Sequence, residues 1–117
     1  MELHDLVAAI LAGDMLTARQ WVADARRQQV NWHTLPCPNN LKDREMTVAA
    51  GVVELFANRA GEKPPAWTET VGAERELVVL DPGLDKMPRS FAHAKAAGPE
   101  PLRKRNLVAL PDFLVVA

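Results

Sequence analysis

The stretch Leu41-Lys42-Asp43-Arg44-Glu45-Met46-Thr47-Val48-Ala49-Ala50-Gly51-Val52-Val53-Glu54-Leu55-Phe56-Ala57-Asn58-Arg59-Ala60 decides how this chain folds. It supplies about five turns of uninterrupted helix-compatible sequence. Ala49, Val52, Val53 and Phe56 recur at the three- and four-residue spacing that lays an apolar stripe along one helix face, widened by Met46 and Leu55. Asp43 and Glu45 stand where the helix dipole favours negative charge, Asn39 or Asn40 supplies an N-cap, and Gly61 follows the last turn. The pattern predicts an amphipathic helix over 41–60. A stripe of that length must be covered by other elements.

Upstream, Leu3, Leu6, Val7, Ile10 and Leu11 form a second stripe that stops near Gly13. Asp14 is placed to cap the next helix, which runs to about Gln29 with Leu16 or Ala18 facing inward together with Trp21, Val22 and Ala25. Arg19, Asp24, Arg26 and Arg27 then face solvent. So short a junction predicts an antiparallel helical hairpin. Between Val30 and Asn40 the periodicity fails, and Pro36 and Pro38 hold Leu35 and Cys37 extended, which predicts a connector.

Downstream, Gly61 to Pro65 reads as a turn, and Pro65 opens a short helix through Trp67 to Val71, closed by Gly72. Leu77-Val78-Val79-Leu80 fits either a strand or a buried helical turn. A helix is predicted from Pro88 to Ala97, stopped by Gly98, with Phe91 facing the core. Gly98 to Asn106 reads as a short capped turn of helix with a basic exposed face. Residues 107–117 are too apolar to be left in water, so they either close the core or dock on a partner. The fold class that results is mainly α: a small bundle of four to six helices opening with an antiparallel hairpin, with at most a short β-strand or extended segment near 77–80 and 107–110. It forms one helical domain over 1–117.

Composition narrows the function. Fourteen Lys and Arg against fifteen Asp and Glu give a net charge of -1, which disfavours a protein that gains affinity by neutralising phosphates. A single cysteine, Cys37, excludes an intrachain disulfide framework. The acidic start and the absence of a long apolar run predict a cytoplasmic protein without a signal peptide or a membrane span.

Few residues point to chemistry. His4, His33 and His93 lie in separate segments without a second ligand at one-turn spacing, so no metal site is expected. His33 and Cys37 are separated by Pro36, which prevents a helical turn from joining thiol and imidazole, and Cys37 reads as a small buried hydrophobe. Ser90 is the only serine and lacks a Gly-x-Ser-x-Gly context. The pairs Asp43/Glu45, Glu74/Glu76 and Asp81/Asp85 stand at helix starts and turns, where carboxylates cap. No glycine-rich phosphate cradle occurs. No catalytic residue, cofactor or metal is therefore predicted, and the chain reads as non-catalytic.

Two features remain. Arg103-Lys104-Arg105 is the one basic cluster, and Trp67 follows two prolines, where a large ring often marks a contact. Three stretches, Leu11-Ala12-Gly13-Asp14 running on into Ala18 to Ala25, then Pro64-Pro65-Ala66-Trp67-Thr68, and finally Gly98 to Asn106 with Pro111-Asp112-Phe113-Leu114, resemble a group of small bacterial proteins of near-identical length. That group is associated with genes for nucleotidyltransferase-like proteins, in an arrangement similar to toxin–antitoxin pairs. The resemblance implies a non-catalytic, antitoxin-like partner of such a protein, and it transfers no catalytic residue. The expected interaction residues are Trp67, Leu102, Arg103, Lys104, Arg105, Phe113 and Leu114, with a protein partner or self-association as the outcome. Two alternatives stand beside it. One is a small nucleic-acid-binding regulator using residues 103–105, and the other is a small enzyme assembled from residues such as His33, Cys37 and Asp43.

Overall fold

The computed structural model describes residues 2–116, and in it the chain is mainly helical. Helices α1 (Leu3–Leu11) and α2 (Met15–Arg27) form the predicted hairpin. Their junction works because Gly13 takes φ 74°, a left-handed conformation that a side chain would resist, while Asp14 N–H reaches back to the Ala9 carbonyl at 2.9 Å. Asp14 then caps α2, accepting the Thr17 backbone N–H at 3.2 Å and the Thr17 hydroxyl at 2.6 Å. Leu3, Leu6, Val7 and Ile10 are buried as the stripe requires. Leu11 and Leu16 are not: they are 38% and 81% exposed, and Ala18 takes the inward position on α2.

Helix α3 (Asp43–Arg59) is the axis of the molecule. Its N-cap is Lys42 rather than Asn39 or Asn40, and the Glu45 carboxylate accepts the Lys42 N–H at 3.1 Å, the half of a capping box that a side chain at the third position provides. Every residue from Thr47 to Ala57 is buried, including Ala50, Gly51 and Glu54 on the sides away from the predicted stripe. A helix buried all round needs neighbours on all sides. Helix α1, the 3₁₀ turn at Trp32–Thr34, the 3₁₀ turn at Ala66–Thr70 and helix α5 (Glu100–Arg103) supply them.

The 77–80 segment resolves as a strand. Strands β1 (Val78–Val79) and β2 (Leu107–Val108) pair in parallel, Val78 opposite Leu107 and Val79 opposite Val108. Parallel pairing requires a crossover, and α4 (Pro88–Ala97) with α5 provides it. Gly98 ends α4 without entering the left-handed region (φ -61°, ψ 165°). Glycine is required there for space, since an added Cβ would lie 2.5 Å from the carbonyl oxygens of both Ala94 and Ala109. Phe91 is half-buried against a small satellite cluster of Leu84, Ala94 and Val108, apart from the main core.

The apolar C-terminal segment closes the core. Leu107, Ala109, Phe113 and Leu114 are buried within the same cluster as α1 and α3, and Leu114 is held at φ 52°, a left-handed conformation that a leucine keeps only where packing imposes it.

A candidate binding groove beside a buried ion-pair network

The residues expected to meet a partner are mostly interior. Leu102, Phe113 and Arg105 are buried, so the sequence-based assignment of these three to an interaction surface is corrected, whereas Leu114, though 4% exposed, lines the groove described below. They fill the space around α3 that a one-sided stripe did not anticipate. Trp67 is half-buried against the core, and its Nε1–H donates to the Leu35 carbonyl at 2.9 Å, pinning the proline-rich connector. The ring is an anchor for two loops rather than a free contact.

The basic triplet does not form one cationic face. Arg103 is exposed but donates to the Gly98 carbonyl at 2.6 Å and the Ala96 carbonyl at 3.3 Å, closing the C-terminal end of α4. Lys104 Nζ reaches Glu54 Oε2 at 2.7 Å. Arg105 donates from Nη1 to the Pro101 carbonyl and from Nη2 to the Thr68 carbonyl, each at 2.8 Å, and its Nη2 lies 3.0 Å from Glu54 Oε1. One buried guanidinium thus ties α3, α5 and the Ala66–Thr70 turn together. Burial alone would raise the Glu54 carboxyl, but its hydrogen bonds and charge contacts with Lys104 and Arg105 outweigh that and hold it below its ordinary value.

The dispersed candidates stay dispersed. His33 Nδ1 lies 3.0 Å from the Lys63 carbonyl, whereas the Cys37 thiol is exposed and meets only the Pro38 carbonyl at 3.7 Å, so Cys37 is not the buried hydrophobe its sequence context suggested. Among the described residues no group of three or more His, Cys, Asp or Glu side chains converges as a metal site would require. The carboxylates Glu45, Glu74 and Asp81 accept hydrogen bonds from the Lys42 N–H, the Thr47 hydroxyl and the Leu110 N–H respectively. No described helix is long and apolar enough to cross a membrane.

What the fold does build is a groove of about 480 Å³ lined by the C-terminal ends of α2 and α3 and by residues 114–116. Val22, Trp32, Phe56 and Leu114 are its apolar walls. Trp32 and Phe56 are stacked at a tilt with ring centroids 5.2 Å apart, and Trp21 extends the row 6.3 Å beyond Trp32. Arg26 and Arg59, in the last turns of their helices, stand at the rim. Arg26 donates to the Val116 carbonyl at 2.9 Å. Arg59 lies with its Cζ 5.9 Å from the Phe56 centroid and makes no ion pair among the described residues, its one hydrogen bond being a 3.4 Å contact to the Pro111 carbonyl. Packing against the groove wall lowers its pKa and the charge of Asp112 opposes that shift, while the residue as a whole remains exposed to solvent. Glu62 is the acidic lining residue, and its carboxylate is 3.4 Å from the His33 N–H. The sequence offered no signal for this site, because Arg26 reads as a solvent-facing residue of its helix, Trp32 falls in a connector, and nothing in the pattern marks Arg59.

Comparison with protein-family models, with curated proteins and with solved structures finds no match for the chain.

Proposed function

We propose that this chain is a cytoplasmic, non-catalytic interaction module whose α2–α3 groove receives a short apolar segment of a partner protein that also carries a carboxylate. The observation that carries this reading is the pairing of an aromatic-walled groove with Arg59, a cation at its rim that lacks a carboxylate partner among the described residues. Apolar walls give affinity, and a few fixed polar groups give orientation. A guanidinium beside a hydrophobic wall favours a planar carboxylate, which can meet it in bidentate fashion. Val115, 60% exposed on the groove lining, adds apolar surface that solvent now covers.

The resemblance described above suggests a nucleotidyltransferase-like protein as the partner. The alternative of nucleic-acid binding has no comparable support, since Arg103, Lys104 and Arg105 are engaged by carbonyls and Glu54. Two measurements test the proposal. Peptide display against the immobilised chain should enrich apolar sequences with an acidic group, and their binding should quench Trp32 emission and be lost on Arg59→Glu substitution. Co-expression with a nucleotidyltransferase-like protein encoded beside this chain should give a stable complex that the same substitution dissociates. Enriched peptides that bind the Arg59→Glu variant as well as the parent would sink the reading.

A further inference from the structure

We infer that Val116 is a displaceable plug at the α2–α3 groove, an autoinhibitory contact that a ligand must push aside to enter. The inference rests on the reading of the groove given above and adds its regulation. The hold on the C-terminal segment weakens in steps. Phe113 and Leu114 are 1% and 4% exposed and belong to the core, and Val115 is fixed to the same turn by its N–H, which donates to the Asp112 carbonyl at 3.0 Å. Val116 is held differently. It is partly buried, stands on the groove lining, and packs against the cluster that supplies the walls Val22, Trp32, Phe56 and Leu114. The side chain that ties it to the body is Arg26, whose Nη1–H donates to the Val116 carbonyl at 2.9 Å. Arg26 is itself exposed, so water competes for that donor. A residue held by partial packing and a solvent-accessible hydrogen bond opens locally without unfolding the protein.

The acceptors on the two rim arginines explain why a ligand displaces it. Arg26 holds the Val116 carbonyl and Arg59 meets the Pro111 carbonyl, so one segment contacts both cations and part of the apolar wall. A ligand that brings an apolar side chain and a carboxylate makes contacts of the same kinds at the same place. The two therefore compete. Both carbonyls are neutral acceptors, and the 3.4 Å contact at Arg59 is long. A carboxylate at Arg59 makes a shorter, charge-assisted bond, roughly twice as strong as a neutral one. The ligand's side chain then takes the wall that Val116 leaves. Apparent affinity is the intrinsic affinity scaled by the fraction of molecules in which Val116 is out, so loosening the plug tightens binding without adding a contact.

The test loosens the plug in two ways in the full chain. Val116→Gly removes the packed side chain and frees the backbone, and Arg26→Gln removes the charge that holds the carbonyl. The heteronuclear nitrogen-15 NOE of the residue-116 amide should fall in both variants, while the amides of Val52 and Val53 stay as in the parent. The tightest acidic peptide selected by display on the parent should then bind each variant about two- to tenfold more tightly, the range for loss of one hydrogen bond. Its binding to the parent should itself lower the NOE at Val116. Weaker binding to Val116→Gly would make Val116 a wall of the site, and weaker binding to Arg26→Gln would make Arg26 a ligand contact. Either result overturns the plug, as does equal affinity for the three chains or an NOE at residue 116 that neither variant changes. Display that yields no acidic binder on the parent or on either variant would instead fail the groove itself, and the plug with it.

Discussion

At Gly98 and Gly51 the same atom is missing for different reasons. A Cβ on Gly98 would meet two backbone carbonyl oxygens at 2.5 Å, and carbonyls cannot move without shifting α4 or the segment after β2. A Cβ on Gly51 would meet the tips of Leu102 and Leu107 at 2.9 and 3.0 Å, atoms at the far ends of flexible side chains. Gly98→Ala should therefore destabilise by about 1–3 kcal/mol through overpacking. In Gly51→Ala the gain of about 1 kcal/mol in helix propensity should offset much of the strain. Urea titration of the two variants separates the cases, and equal losses would refute the distinction.

Asp81 supplies a pH-dependent prediction at the same scale. Burial raises its carboxyl above the ordinary 3.8, the Leu110 N–H opposes, Asp112 adds to the rise and Arg19 opposes it. Because the folded pKa exceeds the unfolded one, ionisation of Asp81 costs stability. That cost is absent below the unfolded pKa and grows as pH rises through the folded one. An amide oxygen can still accept the Leu110 N–H, which lies 2.7 Å from the carboxylate. Asp81→Asn should accordingly raise Tm at pH 7 and lose that advantage near pH 3. A Tm difference that is constant across this range would contradict the assignment.

At the scale of elements, the Glu54–Lys104–Arg105 network joins α3 to α5. Removing one partner leaves the other charge buried and uncompensated, so Glu54→Leu should cost about 3–5 kcal/mol. The double substitution Glu54→Leu with Arg105→Met should cost clearly less than the sum of the two single changes, as the orphaned charge disappears with its partner. Strict additivity in a double-mutant cycle would show that the network contributes no coupling. Glu54 has its pKa held down by its partners, so its contribution is present above its unfolded pKa and is lost as pH falls through the folded one.

The elements themselves were legible to different degrees. Helices α1, α2, α3 and α4 follow from periodicity, from Asp14 as a cap and from Pro88 at a first turn, because these signals act within a few residues. The β1–β2 pairing was only half legible. Leu77 to Leu80 is apolar with β-branched Val78 and Val79 at its centre, and 107–110 reads as a second extended candidate, but the parallel pairing of Val78 with Leu107, 29 residues on, is named by no local rule.

On the scale of the whole molecule, the radius of gyration of 13.2 Å matches the value of about 13.4 Å expected for a compact chain of this length. Compactness depends on the C-terminal segment, since Leu107, Ala109, Phe113 and Leu114 complete the cluster that surrounds α3. Ending the chain after Asn106 should therefore abolish cooperative unfolding and expose dye-binding apolar surface. In the intact protein, hydrogen exchange should be slowest from Thr47 to Ala57, where every residue is buried, and fastest in the exposed 72–73 loop. Retention of a sharp thermal transition after truncation would contradict the role given to that segment.

The sequence by itself determined the main helices, the Asp14 cap, the opening hairpin and the mainly helical class, because propensity, periodicity and capping are local. It left open whether the apolar C-terminal end is core or surface, since hydrophobicity records that a side chain leaves water but not what covers it. Only the tertiary structure decided that Phe113 and Leu114 lie inside, that Arg105 is an interior strut, and that Arg26 and Arg59 line one groove. Each of these depends on contacts between residues far apart in the chain, and such contacts are set by the packing of whole elements rather than by any neighbouring residue.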